Sequence, residues 1–224
     1  MNTFLRRLKY YGIGFGIGLL FVFFIFKQKG CSWTPGNRVK EAVLNRIIVA
    51  DSLDLAFLKG QKISAAGVRT LVQNSSISFS ESAIKGDRKT YVLFGELPNG
   101  KSLKYLITLH DQDFMVEVDF LHSNPAAFQR TLREGKPLVY KPQKNWFHGA
   151  WDTYGLAGFK GADAPEKLTS LFFSKGSIEL ASTSRNEAKP THRIMVPYEG
   201  KTIVLTGFYY QEKIEVQEMG YQTP

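Results

Sequence analysis

Cysteine is almost absent from this sequence. Cys31 is the only one among 224 residues, so no disulfide can form within one molecule. Cysteine usage therefore neither requires nor excludes an oxidising compartment. Gln28 and Lys29 are polar, whereas a lipid-modified cysteine normally follows small apolar residues, so we interpret Cys31 as an unmodified thiol.

Recognisable catalytic and metal-binding motifs are also lacking. The four histidines have no ligand-like spacing, and none belongs to an HExxH pattern or accompanies a cysteine pair: His110, His122, His148 and His192. Asp111 and Asp113 lack the later acidic positions of a calcium loop, so we interpret them as a solvated turn. No GxSxG, P-loop or kinase motif is present. We predict no catalytic residue, no metal and no cofactor.

Long apolar runs are limited to one, from Tyr10 to Phe26. As a helix it reaches about 26 Å, near the thickness of the hydrocarbon core of a bilayer. The run ends in bulky and basic residues, which do not suit a signal peptidase. We therefore predict a basic tail over residues 1–9, a retained transmembrane helix over 10–26 and a linker over 27–36. A cleaved signal peptide and a buried core helix are the alternatives.

Glycines recur at every second position near the start of this run, as Gly12, Gly14, Gly16 and Gly18. They form two pairs with a spacing of four residues, and small residues at that spacing allow a second membrane helix to approach closely. Glycine is also simply common in membrane helices. We predict packing against a partner helix at these four positions.

Acidic residues are missing from the first 40 positions, which carry seven basic residues. The remainder of the chain holds 22 basic and 20 acidic residues, so most of the net charge of +9 flanks the apolar run. Basic residues at that place attract anionic lipid, whereas a nucleic-acid-binding domain carries its excess on the folded part. We predict a lipid bilayer as partner and no nucleic acid. A short basic tail before a first span commonly stays cytoplasmic, which places the soluble part outside.

The residues after the linker predict an α+β fold. In residues 37–122, Asn37 caps a helix with apolar residues at helical spacing: Val39, Val43, Leu44, Ile47 and Ile48. A second helix begins near Ser64. Four segments of alternating apolar residues then predict antiparallel strands: SISFSES, TYVLFGEL, LKYLITL and FMVEVDF.

Residues 123–224 repeat this order about 100 residues later. A helix from Asn124 to Glu134, closed by Gly135, fits the preference for proline at the start of a helix and glycine after its end. Asp163 and Glu166 match a capping box before a second helix, and four strands follow: SIELAST, THRIMVPY, TIVLTGFYY and KIEVQEM. The segments NGKSLKYLIT and VEV align with EGKTIVLTGF and IEV. We therefore predict two similar modules of helices and an antiparallel sheet.

The most unusual soluble segment is NWFHGAWDTYGLAGFKGAD, residues 145–163, in which aromatic side chains alternate with glycines. Such a composition is typical of recognition surfaces, and it predicts a partner-binding loop: Trp146, Phe147, Trp151, Tyr154 and Phe159. The alternative is that these rings fill the core between the two modules. His148 and Asp152 would form a pair if the segment made a helical turn.

The basic tail, the apolar run and the segment GCSWTPGNRVK resemble an uncharacterised family of short, single-pass, membrane-anchored bacterial proteins with a domain of unknown function. The resemblance covers about residues 1–122, and family members carry one module where this chain has two. It implies a location in the bacterial inner membrane, with the soluble part in the periplasm. It carries over no site residues.

These features favour a non-enzymatic, membrane-anchored subunit whose tandem modules bind another membrane or envelope protein. The alternative is a membrane-tethered ligand-binding protein or enzyme that uses residues 145–163, with His148, Asp152 and Tyr154. A relation to small ribonuclease toxins would rest on fold analogy alone, and the near-neutral charge of the soluble part argues against it.

Overall fold

The computed structural model describes residues 2–29, 34–125, 134–139, 145–184, 189–210 and 212–222. One compact unit extends to Val39 and a second begins at Lys40. The fold is α+β, as predicted. The elements in chain order are α1 (Asn2–Lys29), α2 (Pro35–Leu44), β1 (Ile47–Ala50), α3 (Ser52–Gly60), α4 (Ala65–Asn74), β2 (Ser76–Ala83), β3 (Arg88–Glu96), β4 (Ser102–His110), β5 (Met115–Asp119), β6 (Glu134–Val139), β7 (Phe147–His148), a short 3-10 helix (Trp151–Thr153), α5 (Ala164–Lys175), β8 (Ser177–Ser184), β9 (Thr191–Tyr198), β10 (Lys201–Tyr210) and β11 (Lys213–Gln222).

Helix α1 covers the predicted span and extends beyond it on both sides. Its segment Arg7–Phe24 has a mean hydropathy of 1.3 and is exposed along its whole length. Length and composition therefore make α1 a candidate membrane span, although a signal sequence has the same two properties. Residues 27–29, predicted as linker, continue this helix.

The first helix after α1 ends earlier than the sequence pattern indicated. Helix α2 begins at Pro35, a residue favoured at a first helical position, so Asn37 lies inside the helix and does not cap it. Ile47 and Ile48 belong to strand β1, whose four residues are all buried. A fully buried strand is a continuous apolar run, which periodicity alone does not distinguish from a helix.

Helices α3 and α4 have well-defined ends. Helix α3 was not predicted from the sequence pattern. It begins where the Asp51 carboxylate accepts a hydrogen bond of 2.8 Å from the Asp54 N–H. Two residues after its last residue, Gly60, Lys62 lies in the left-handed region at a φ of 56°, a conformation that normally favours glycine. Helix α4 begins as predicted, because the Ser64 hydroxyl accepts from the Gly67 N–H.

The described strands form one sheet in the order β2-β3-β4-β5-β1-β6-β8-β9-β10-β11-β7. Neighbouring strands are antiparallel except for two parallel pairs, β1 with β5 and β7 with β11. Strand β6 is antiparallel to both β1 and β8 and joins the two groups of strands. The sheet is therefore mixed and continuous, and this arrangement does not separate two modules.

Two predictions for the second half need correction. Glu134 and Gly135 lie in strand β6 and not at the end of a helix; the rest of that predicted helix, residues 126–133, lies outside the described residues. Helix α5 is present where predicted, but the Asp163 side chain makes no capping hydrogen bond. The predicted strands after α5 are confirmed as β8 to β11.

The main hydrophobic core brings together residues far apart in the sequence. It combines β1 and the start of β5 with α5 and strands β7 to β11. Its largest fully buried side chains include Trp146, Phe147, Phe159 and Phe172. The described segment from Trp146 to Phe159 therefore contributes to this core.

Candidate functional site

The aromatic segment at residues 145–163 packs into the protein core. Trp146, Phe147 and Phe159 are at most 2% exposed, and Trp151 is 9% exposed. The Phe147 ring contacts the Phe172 ring of α5 edge to face, with centroids 5.5 Å apart. For these four side chains the partner-facing interpretation is wrong, because their contact area is used by helix α5 and the sheet.

The polar groups of this segment are also used within the fold. The Tyr154 hydroxyl, on a half-buried side chain, donates a hydrogen bond of 2.7 Å to the carbonyl oxygen of Val216. The predicted pair of His148 and Asp152 does not form. His148 Nδ1 lies 2.7 Å from Glu215 Oε2, and Asp152 Oδ1 accepts from the backbone of Gly161. His148 and Asp152 therefore have partners other than each other.

The four glycines of α1 lie on an open helix surface. A Cβ atom built at Gly12, Gly14, Gly16 or Gly18 would meet no atom of the described residues within 4 Å. These positions leave room for a second helix to approach, and the predicted helix packing stays a prediction.

An open groove of about 530 Å³ lies between α4 and the turn that joins β3 to β4. Its volume is within the range of small-ligand sites, about 300–1,000 Å³. The sequence pattern did not indicate this groove, because its two walls are 22 or more residues apart in the chain and none of its residues belongs to a catalytic or binding motif. The lining residues are Lys62, Ile63, Ser64, Gly67, Thr70, Leu71, Asn74, Glu96, Leu97 and Pro98.

Close helix–sheet packing forms the floor of this groove. A Cβ atom at Gly95 of β3 would lie 2.6 Å from both Leu71 Cδ1 and Ser75 Oγ. The glycine therefore lets α4 approach the sheet closely, and both Leu71 and Leu97 are 7% exposed. The groove has a rigid apolar floor.

Opposite charges are available at the two walls of the groove. Lys62 lies two residues after the end of α3, and Glu96 lies at the end of β3. Both residues are exposed. Among the described residues, neither the Lys62 ammonium nor the Glu96 carboxylate has a hydrogen-bond or ion-pair partner. The groove can therefore offer one cation and one anion to a ligand.

A cluster of polar side chains lies near the carboxyl ends of the parallel strands β1 and β5. Asp54 is fully buried and its Oδ1 accepts from the Phe120 N–H at 2.8 Å. Burial raises the pKa of Asp54 to about 7, against the lowering effect of that hydrogen bond. Asp119 is 2% exposed, and its Oδ2 lies 2.7 Å from Nδ1 of the half-exposed His122. This arrangement places a titratable carboxyl beside a carboxylate–histidine pair.

A further buried pair corrects the interpretation of the HDQD segment. Asp113 is 0% exposed, so it does not belong to a solvated turn. Its Oδ1 lies 3.4 Å from Nε2 of His192, which is 1% exposed. Arg46 donates hydrogen bonds to the carbonyl oxygens of His110 and Asp111 beside it. The contact of Asp113 with His192 connects the two halves of the chain, and the Arg46 hydrogen bonds connect the residue before β1 to the β4–β5 turn within the first half.

Within the described ranges, no group of three or more histidine, cysteine, aspartate or glutamate side chains is arranged to hold a metal ion. Comparison of the chain with protein-family models, with curated proteins and with solved structures found no match. The proposals for function therefore rest on the sequence and on the geometry of the described residues.

Proposed function

We propose that this protein is a single-pass, membrane-anchored, non-enzymatic binding subunit whose soluble unit contacts another membrane or envelope protein. The observation that carries this proposal is helix α1, because the segment Arg7–Phe24 is apolar and none of it is buried in the protein. A helix that is apolar on all faces and has basic flanks is stable in a bilayer and unstable in water. The anchor keeps the soluble unit close to partners in the same membrane, which raises its effective concentration.

The soluble unit is, in our proposal, a tandem pair of equivalent halves. The strand registers support this. Ser76 pairs with Phe94 and Ser177 pairs with Met195, and all four residue pairs of β2 with β3 recur in β8 with β9 at an offset of 101 residues. A register shift interrupts both strand pairs at the same place. In each half the last long strand also has a parallel neighbour from the start of that half, β1 beside β5 and β7 beside β11.

We assign partner contact to the groove between α4 and the β3–β4 turn. Three properties support this: its volume, its apolar floor of Leu71 and Leu97, and the charges of Lys62 and Glu96 at its walls. An amphipathic protein segment with an acidic and a basic residue on either side of an apolar one complements these properties. We place the protein in the bacterial inner membrane with the soluble unit in the periplasm, because the basic residues Arg6, Arg7 and Lys9 precede the apolar part of α1.

The anchor is tested by extracting membranes at alkaline pH and by determining the first residue of the mature protein. The proposal expects the protein to stay in the membrane pellet with its N-terminal 29 residues intact. A mature chain that begins after Trp33, or one that is released without detergent, would contradict it. A reporter fused after Pro224 that is active on only one side of the membrane determines the orientation.

Partner contact is tested in intact cells with a photo-crosslinking amino acid introduced at Lys62 or at Asn74. Crosslinks of one defined mass are expected at both groove positions. The matched control is Lys160, which is also exposed but lies outside the groove. Crosslinking that is equal at all three positions, or none at the groove, would contradict this assignment.

A further inference from the structure

Strand β2 has one free edge. It pairs with β3 and is the outermost strand at its end of the sheet formed by the described residues. Strand β8, its equivalent in the proposed tandem, lies inside the sheet between β6 and β9. An outer strand presents unpaired main-chain N–H and C=O groups, which can bind another strand.

Strand β8 shows which kind of neighbour pairs with the equivalent edge in the second half. Ile178 and Glu179 pair with β9 on one side and with Gly135 and Glu134 of β6 on the other. The corresponding residues of β2 are Ile77 and Ser78, which pair with β3 in the same register. Their other side corresponds to the side of β8 that β6 occupies.

We propose that the free edge of β2 binds an extended peptide segment of another polypeptide chain, which adds an antiparallel strand as β6 does beside β8. This inference rests on the tandem equivalence proposed above. Main-chain hydrogen bonds supply the affinity in this mode of recognition, and side chains of the added strand supply the specificity. The occupant is therefore a strand-forming peptide and not a helix or a small molecule.

Features that protect sheet edges do not block this part of β2. Its register shift lies between Ser78 and Ala83, beyond the residues in question. Strand β8 has the same irregularity between Glu179 and Ser184, and β6 pairs with it just before that point. Glu134 and Glu179 are like charges placed opposite each other, which is unfavourable. Ser78 is neutral and its hydroxyl donates to Glu81 Oε1 at 3.2 Å, so β2 does not place its own carboxylate directly opposite the added strand at this position.

The test measures capture of a peptide by disulfide exchange, which detects weak binding. The protein is the full chain in mild detergent with Cys31→Ser and Ser78→Cys. The probe is a synthetic peptide with the sequence of residues 133–140 in which cysteine replaces Glu134, the residue that faces the equivalent position in β8. The peptide is supplied as its mixed disulfide with glutathione, so that attack by the thiolate introduced into the protein releases glutathione. We expect about tenfold more mixed disulfide than with Ser174→Cys, an exposed helical control without a strand edge, which corresponds to about 1.4 kcal/mol.

A second probe separates main-chain pairing from non-specific capture. The same peptide with N-methyl groups on residues 134–136 cannot donate main-chain hydrogen bonds and is expected to fall to the control level. Equal capture of both peptides, or no preference for Ser78→Cys, would overturn the proposal. Disulfide-linked protein dimers that form through Ser78→Cys without peptide would also overturn it, in favour of a second copy of this chain.

A further pair guards against a local folding defect, because Ser78 is partly buried. Ser76 is exposed, and continuing the β6–β8 register places it opposite the position of Lys136. Ser76→Cys with a peptide that carries cysteine in place of Lys136 is expected to show the same preference. These measurements do not involve the membrane or the groove. A negative result here with a positive anchor test would reject the edge site alone, and the reverse would reject the anchored function alone.

Discussion

At the scale of single residues, the unit that begins at Lys40 contains buried ionisable side chains. Asp54 and Asp113 are both fully buried, and Asp119 and His192 are nearly so. Hydrogen bonds or close ion-pair geometry accompany each of them, as expected for buried polar groups. Such groups make stability depend on pH.

Asp54 is the clearest case, and the replacement Asp54→Asn tests it. The folded-state pKa of about 7 lies above the ordinary aspartate value of 3.8. The folded protein therefore binds the Asp54 proton more tightly than the unfolded chain, and stability falls as the pH rises between these two values. We expect this group to lower the free energy of unfolding of the wild type by up to about 1.4 kcal/mol per pH unit as the pH rises. In Asp54→Asn this contribution to the pH dependence should be absent.

Denaturant unfolding of the full chain in mild detergent at several pH values between 4.5 and 8 measures this effect. The control is Asp87→Asn, because Asp87 is exposed and its replacement should leave the pH dependence unchanged. A stability difference between Asp54→Asn and wild type that stays constant over the whole range would contradict the prediction.

The burial of Trp146 leads to a second prediction. Trp146 is 0% exposed in the main core, so Trp146→Ala should lower the free energy of unfolding by about 3–5 kcal/mol. Leu53→Ala is the control, because Leu53 is 57% exposed and its loss should change stability by about 0.5 kcal/mol or less. Chemical unfolding monitored by circular dichroism compares the two. Similar stabilities for both variants would mean that the Trp146 ring does not pack in the core.

At the scale of elements, close packing of α4 on β3 decides the shape of the groove. The neighbours of Gly95, Leu71 and Ser75, belong to the last part of α4 and to the residue that follows it. Ser75 is itself fixed, because its hydroxyl hydrogen-bonds with the Tyr105 hydroxyl at 2.8 Å. A side chain at position 95 would have to displace the Leu71 side chain and the Ser75 hydroxyl.

Gly95→Ala tests this packing. The added methyl group would overlap both neighbours, and overpacking of this kind costs about 1–3 kcal/mol. Gly60→Ala is the matched control, because Gly60 ends helix α3 and a Cβ there meets no atom within 4 Å. The control should be neutral or stabilising by up to about 1 kcal/mol. Thermal unfolding of both variants decides the comparison, and a stable Gly95→Ala protein would show that α4 moves freely on the sheet.

At the scale of the whole molecule, α1 is the candidate membrane span on which the proposed location depends. Ile17 lies in the apolar segment Arg7–Phe24 and is 52% exposed in the protein. A charged residue at the centre of a membrane helix costs about 2.5–3.5 kcal/mol of insertion free energy. Ile17→Arg should therefore reduce the fraction of protein that resists alkaline extraction, whereas Ile17→Leu should leave it unchanged.

Membrane fractionation followed by immunoblotting measures both variants. The soluble unit should remain folded in each, because the sheet and the cores lie beyond Lys40. An Ile17→Arg protein that resists extraction as well as wild type would indicate that α1 is not embedded as a transmembrane helix.

The elements that depend on local chemistry could be predicted from the amino-acid pattern alone. The apolar run is long enough to predict α1, and the serine before an apolar repeat predicted α4 with its cap. Alternating apolar residues predicted strands β2 to β5 and β8 to β11. These features need only the period of the side chains and the preferences of turn and cap residues.

The tertiary structure alone decided which of those residues are accessible and which meet. The aromatic segment at 145–163 has the composition of a binding loop. Four of its rings are nevertheless buried, because they pack against α5 and the sheet. The groove and the pair of Asp113 with His192 join residues distant in sequence. Strand β1 has no alternation of apolar and polar residues because all four of its residues are buried, so its sequence period did not identify it as a strand. The pairing of β6 with β1 depends on contacts between residues far apart in the chain.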